Sequence, residues 1–127
     1  MFLGTYRGRV DKRRRINLPA KLCKELGKVG VLVLDDKDYF LSIYSEEGFK
    51  RILEGLTLEE IRGITSKADR VSFDKQGRFI IPKQLRNAPL LNKLFDEKEE
   101  IVILGVFDHL EIWNRKRWEE KETPTLN

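Results

Sequence analysis

Apolar and polar positions alternate loosely over residues 5–10 (Thr-Tyr-Arg-Gly-Arg-Val), break at a polar stretch, and resume at Ile16-Asn17-Leu18. A period of two predicts strands, and the polar break predicts a hairpin turn between them. The pattern returns at Arg70-Val71-Ser72-Phe73 and Phe79-Ile80-Ile81. A proline follows each hairpin and predicts a short helix: residues 19–26, stopped by Gly27, and residues 82–87, stopped before Pro89. The apolar runs 30–34 and 101–106 are short and rich in β-branched residues, which predicts strands covered on both faces. Residues 35–38 read as a polar turn. Two further strands share the form Leu-x-Ile-aromatic, at 40–44 and 109–113, followed by Ser45 and Asn114 as helix N-caps. Residues 46–54 put Phe49, Ile52 and Leu53 on one helical face. Thr57 and Glu60 have capping-box spacing and open another helix. A last helix runs from Arg115 to about Lys121 with Trp118 inward, and the chain from Pro124 onward is expected to fray.

The pattern occurs twice. Asp11-Lys12-Arg13-Arg14-Arg15 and Asp74-Lys75-Gln76-Gly77-Arg78 stand 63 residues apart, as do Pro19 and Pro82. The later strands stand 69 apart, so six extra residues are expected in the second half, in the acidic stretch 96–100. Two copies are too few for a solenoid. They predict residues 1–56 as a first half, 57–69 as a helical connector and 70–127 as a second half. One such unit leaves exposed sheet edges. The expectation is therefore an α+β fold, mainly β, in which two interlocked units related by a pseudo-twofold axis close into a small barrel.

Asp11 and Asp74 fit the first position of a turn, where the carboxylate bonds the backbone two residues on. Gly77 fits the fourth position, where a left-handed backbone is free of strain. Arg14 occupies the matching place in the first copy. Either that turn is shaped differently, or an extra guanidinium is useful enough to tolerate roughly 1 kcal/mol of strain.

Of the 127 residues, 40% are hydrophobic and 36% charged, enough for one modest core. The net charge of +4 is unevenly placed. Residues 7–28 hold nine basic and two acidic residues, a balance of +7, which leaves +4 − 7 = −3 for the rest. A basic segment beside a mildly acidic body suits a polyanionic partner. The single Cys23 excludes an intrachain disulfide and fits a reducing compartment. It reads as a half-buried packing thiol. Neither a secretory signal nor an apolar run near the roughly 20 residues of a membrane span is evident. The sequence contains no nucleophile–base pair, phosphate-cradling Gly loop or cofactor fingerprint. His109, the only histidine, reads as a surface or strand-end residue, and with Cys23 far away it gives no metal-ligand spacing. Trp113, Trp118, Phe107 and Phe40 read as packing residues.

The start Met1-Phe2-x-Gly4, the two Asp-x-x-Gly-Arg-type motifs (Arg14 standing for the Gly in the first) with their apolar-Pro steps, and Leu110-x-Ile112-Trp113 together resemble the MraZ family, from Met1 to about Trp118. The resemblance implies a swapped-hairpin (double-split) barrel of the AbrB/SpoVT type and assembly into rings, often octamers. It also implies a cytoplasmic, nucleoid-associated bacterial transcription regulator. Such a protein binds short direct repeats upstream of the division and cell-wall gene cluster and represses it. No cofactor, metal or membrane is implied.

Candidate DNA-contacting residues follow. Lys12, Arg13, Arg14 and Arg15 crowd the first turn, and arginine can hold guanine by two hydrogen bonds or pair with phosphate. Arg13 and Arg15 share a face if that stretch is extended, with Arg14 pointing away. Arg7 and Arg9 on the preceding strand add sequence-independent attraction. Lys75 and Arg78 are the second-copy equivalents. Arg78 either contacts DNA or bridges to Asp74 or Asp11. Two other readings remain at this level: an antitoxin-like or scaffold module holding an acidic partner, and a single-stranded RNA binder. The latter predicts aromatics among the basic residues, and 11–15 has none.

Overall fold

Ser45 accepts a hydrogen bond from the Gly48 N–H at 3.0 Å, and Thr57 and Glu60 satisfy each other's backbone as a complete capping box, so helices begin where the spacing predicts. The computed structural model describes residues 1–35, 37–86 and 100–122. Its strands are β1 (Thr5–Arg9), β2 (Arg15–Asn17), β3 (Val29–Asp35), β4 (Phe40–Ser45), β5 (Ala68–Ser72), β6 (Arg78–Ile80), β7 (Glu100–Val106) and β8 (His109–Asn114). Its helices are α1 (Ala20–Leu26), α2 (Glu46–Leu53), α3 (Leu58–Thr65), α4 (Lys83–Arg86) and α5 (Arg115–Glu122). The architecture is α+β and mostly strand. The expected features at Pro89, at 96–99, at Asp36 and beyond Pro124 lie outside the described residues.

The hairpins expected across residues 11–15 and 74–78 do not form as strand ladders. Beyond one bridge, Val10 to Ile16, the strands flanking the first turn pair elsewhere. β1 pairs with β7 of the second half, and β5 pairs with β3 of the first. β2 and β6 pair with each other as a separate two-stranded ribbon. The larger sheet is antiparallel and open, in the order β1-β7-β8-β4-β3-β5.

The registers obey one twofold operation. Ile16 faces Phe79, and Ser42 faces Glu111, so each of these pairs maps onto itself. The β1–β7 ladder, from Thr5 opposite Leu104 to Arg9 opposite Glu100, maps pair by pair onto β5–β3, from Ala68 opposite Val33 to Ser72 opposite Val29. This mapping relates β3 to β7 by 71 residues, as with Gly30 and Ile101, and β4 to β8 by 69. The second half therefore gains eight residues before β7 and loses two in the β7–β8 turn, instead of gaining six at once. Glu100, expected in the acidic loop, is the first residue of β7, where it pairs with Arg115 at 2.6 Å and Arg9 at 3.6 Å.

The shortened turn explains a second correction. Val106 faces His109, so Phe107 and Asp108 make a two-residue turn. Phe107 is held at φ 62° and is 67% exposed, not packed. Trp113 is buried, Phe40 stacks on it at 4.5 Å, and Trp118 lies 5.4 Å away, as their packing role requires. These rings cover Val102 and Leu104 on one face of β7, while Ile101 and Ile103 enter the main core on the other. That core also takes Ile16, Leu22, Leu32, Ile43, Phe79 and Ile112. Each such side chain contributes about 1.5–3 kcal/mol by leaving water.

His109 is a strand-end residue, but its side chain is largely covered. Nδ1 lies 2.6 Å from Asp108, Nε2 lies 3.0 Å from Glu111, and the ring stacks on Tyr44. Glu111 also accepts from Trp113 Nε1 at 2.9 Å. Burial opposes the imidazolium, but hydrogen bonds and charge from Glu111 and Asp108 outweigh it and raise the His109 pKa above 6.5. Burial pushes Tyr44 up to about 12, so it stays neutral. A raised folded pKa stabilises fully below the unfolded value, and the contribution fades as pH rises through the folded value. The melting temperature of the wild type should thus fall more than that of His109→Gln as pH rises above about 6.5. Parallel slopes in thermal melts would assign no such role to the imidazolium.

Candidate nucleic-acid interface

The two Asp-led turns have one construction. In the first, Asp11 Oδ1 accepts the backbone N–H groups of Arg13 and Arg15, both at 2.8 Å, while Arg15 Nε donates to Oδ2 at 2.7 Å. In the second, Asp74 Oδ1 accepts from Gln76 and Arg78, both at 2.9 Å, while Arg78 Nε donates to Oδ2 at 2.8 Å. The backbone closes each loop: Asp11 N–H donates to the Arg15 carbonyl and Arg14 N–H to the Asp11 carbonyl, and Asp74 N–H donates to the Arg78 carbonyl and Gly77 N–H to the Asp74 carbonyl. The N–H groups that donate to the carboxylates, led by those of Arg15 and Arg78, hold both aspartates below the usual carboxylate range. The turn-forming role expected of Asp11 and Asp74 is what their contacts provide.

Arg14 and Gly77 both lie in the left-handed region, at φ 61° and 78°. The first turn is therefore not reshaped around Arg14, which is held at an angle that L-residues adopt at a cost. Lys12, Arg13 and Arg14 are the exposed tip of this turn, before β2 begins at Arg15. Arg13 is thus not on an extended strand with Arg15, and alternation does not relate them.

The ribbon supplies a different shared face. Ile16 and Phe79 point inward and are buried. Their neighbours Arg15 and Asn17 on β2, and Arg78 and Ile80 on β6, take the opposite face. Arg15 and Arg78 sit at diagonal positions of the ribbon, with backbones on the order of 8 Å apart. Each ion pair engages Nε through Oδ2 of the aspartate. Asn17 is exposed and Ile80 is 50% exposed. Neither stood out in the sequence, because they become neighbours of the arginines only when β2 and β6 pair. Arg7 and Arg9 lie on the outward side of edge strand β1, and Lys75 is exposed at the second tip.

Strand exchange also redistributes charge. The end of β2 reaches the second turn, where the Leu18 N–H donates to the Gly77 carbonyl at 2.9 Å. The helix that follows, α1, therefore lies against the second turn and not its own. Lys21, Lys24 and Lys28 line a groove with Lys75 beside Asp74. At the 63-residue offset, Lys21 and Lys24 correspond to Gln84 and Asn87. The basic tip thus stands away from the basic helix, and each turn has its own cationic surroundings. Among the described residues, no cluster of three or more His, Cys, Asp or Glu side chains could hold a metal, and no helix is long and apolar enough to cross a membrane.

A face of paired arginines and an asparagine on a two-stranded ribbon suits a double helix, because the major groove admits such a ribbon. Comparison with known proteins places the chain in a family. The family model described as "MraZ protein, putative antitoxin-like" matches residues 1–62 and 64–124. A protein of Clostridium tetani named Transcriptional regulator MraZ is 38% identical over 94% of this chain and 86% of its own length. Proteins of the same name from Halothermothrix orenii, at 35%, and Cutibacterium acnes, at 34%, match 93% and 94% of the chain.

Proposed function

The chain belongs to the MraZ family, and we propose that it is a sequence-specific, DNA-binding transcriptional regulator without enzymatic activity. The observation that carries this reading is the ribbon face, with Arg15 and Arg78 each oriented by an aspartate beside Asn17. Arginine bonds guanine and asparagine bonds adenine through two hydrogen bonds each, and each good pair discriminates by about 1–3 kcal/mol. Lys12, Arg13, Arg14, Arg7, Arg9 and Lys75 surround the face with charge for phosphate. The reciprocal β1–β7 and β5–β3 pairing supports the swapped-hairpin barrel of the AbrB/SpoVT type, built by halves 1–56 and 70–127 around connector 57–69. In this reading the protein is cytoplasmic and nucleoid-associated. It represses the division and cell-wall gene cluster from short direct repeats upstream. A gel shift with that upstream duplex tests it: a retarded complex lost when the repeats are scrambled supports it, and equal binding to both opposes it.

The partner includes further copies of the chain, in a ring for which eight subunits is the favoured number. Two apolar patches support this. Leu58 is 64% exposed, and α3 buries none of its residues despite Leu58, Ile61 and Ile64 at helical spacing. Met1, Leu3 and Phe107 are each more than 60% exposed. The twofold mapping relates the end of α3 to residues 1–4, so the two patches fall on opposite sides of the molecule. Unlike faces in such positions associate head to tail, and such contacts close into a ring where the rotation between subunits closes. Leu58→Glu combined with Phe107→Asp should shift the solution mass from the ring to the monomer. An unchanged mass by light scattering would place the contact elsewhere. An antitoxin-like module, which the family description favours, instead predicts a protein partner that co-purifies while no duplex is retarded.

A further inference from the structure

We propose that the groove between α1 and the second turn is a phosphate-backbone contact for duplex DNA, set beside the ribbon and indifferent to base sequence. The inference rests on the DNA-binding reading and names a second foot for it. The groove is open, about 830 Å³, and lined by Lys21, Lys24, Lys28 and Lys75. Lys21 and Lys24 are one turn apart on α1, and Lys28 lies in the bend leaving it, so all three ammonium groups serve one side. All four lysines are exposed, and among the described residues none has a carboxylate within 4.0 Å. Asp74, the acid in the groove, is occupied by Arg78 and two backbone N–H groups.

Four unpaired ammonium groups around one open groove repel one another, and a run of phosphodiesters relieves that repulsion. Lysine acts on phosphate as a point charge without planar geometry, which gives attraction but no base readout. The groove adjoins Gly77, whose neighbour Arg78 is on the ribbon face, so a duplex seated on that face carries its backbone past the lysines. A basic first tip and a lysine groove at the second turn then grip the two ends of one bound segment. The pseudo-twofold turns differ in composition because they meet the same duplex by different chemistry.

The test is the salt dependence of binding to fluorescent operator and scrambled duplexes, for the full-length wild type and for the triple variant Lys21→Gln, Lys24→Gln, Lys28→Gln. Each lost phosphate contact reduces the slope of log K against log salt by about 0.9, so the triple variant should lose about 2–3 from it. Affinity should fall about 10- to 100-fold on both duplexes, leaving their ratio unchanged. Triple replacement by arginine should restore the slope, and thermal melting should show the fold unaltered. An unchanged slope in the glutamine variant would overturn the groove while leaving the ribbon reading standing. Competition by inorganic phosphate beyond chloride of equal ionic strength would also overturn it, as a pocket for free anion. Wild type that binds neither duplex would remove the DNA reading and this inference together.

Discussion

Gly77→Ala should lower stability by about 2–3 kcal/mol and the melting temperature by about 10 °C. The backbone there is at φ 78°, and an added Cβ would stand 2.9 Å from the Leu18 carbonyl oxygen. That oxygen belongs to the backbone crossing from β2 into α1, so it cannot rotate away as a side chain would. The strain falls where β2, the second turn and α1 meet, and so on the seam between halves. Arg14→Gly should act in the opposite direction, raising stability by about 0.5–1 kcal/mol, because it relieves the left-handed arginine at φ 61°. Differential scanning calorimetry of both variants checks the pair. A Gly77→Ala protein melting within about 2 °C of wild type would mean that the turn re-forms in another conformation. If Arg14→Gly is more stable yet binds DNA less tightly, the first turn keeps a strained residue for its charge.

Arg13→Ala with Arg15→Ala should reduce affinity for the operator about 100-fold or more, and affinity for scrambled duplex far less. The two residues act differently. Arg15 lies on the ribbon face, where its terminal nitrogens can meet a guanine edge, at about 1–3 kcal/mol of discrimination. Arg13 is at the exposed tip, where it would supply charge near the phosphate backbone in the proposed complex. In the proposed ring several subunits would bind several repeats, so a loss at each site would multiply in the overall affinity. Stability should change by about 1 kcal/mol, since the Asp11–Arg15 pair is only partly covered, with the Arg15 and Asp11 side chains 27% and 37% exposed. Asp11→Asn separates positioning from charge. It keeps Arg15 but weakens the tie at Nε, and should cost about 10-fold on the operator with little change on scrambled duplex. Quantitative gel shifts give all three ratios. Equal losses on both duplexes would mean that the arginines contribute attraction only.

The turns were legible in the sequence because their chemistry is local. An aspartate that bonds the N–H groups two and four residues on, and a residue in the left-handed region at the fourth place, leave a signature within five positions, twice. The capping box at Thr57 and Glu60, the cap at Ser45 and the stops at Gly27 are local in the same sense. Which strand pairs with which was not legible. Nothing in residues 5–9 distinguishes β7 from the adjacent β2 as a partner, because an alternating strand can pair with either. Three consequences of that pairing were hidden for the same reason. Asn17 and Ile80 become neighbours of the arginines only in the ribbon. Lys21 and Lys24 reach the second turn only through the exchange. Phe107 is exposed only because the β7–β8 register leaves two residues for a turn. The His109 site was missed because its carboxylates flank it in sequence, at Asp108 and Glu111, where a strand end reads as solvated.

Backbone hydrogen exchange, followed by mass spectrometry with and without the upstream duplex, puts the interface itself on view. Exchange should slow at residues 11–17 and 74–80, and along α1, while α2 and α3 keep their rates in an assembly of unchanged size. Protection confined to α2 and α3, with both turns exchanging as fast as in the free protein, would mean that the double helix is held by another surface.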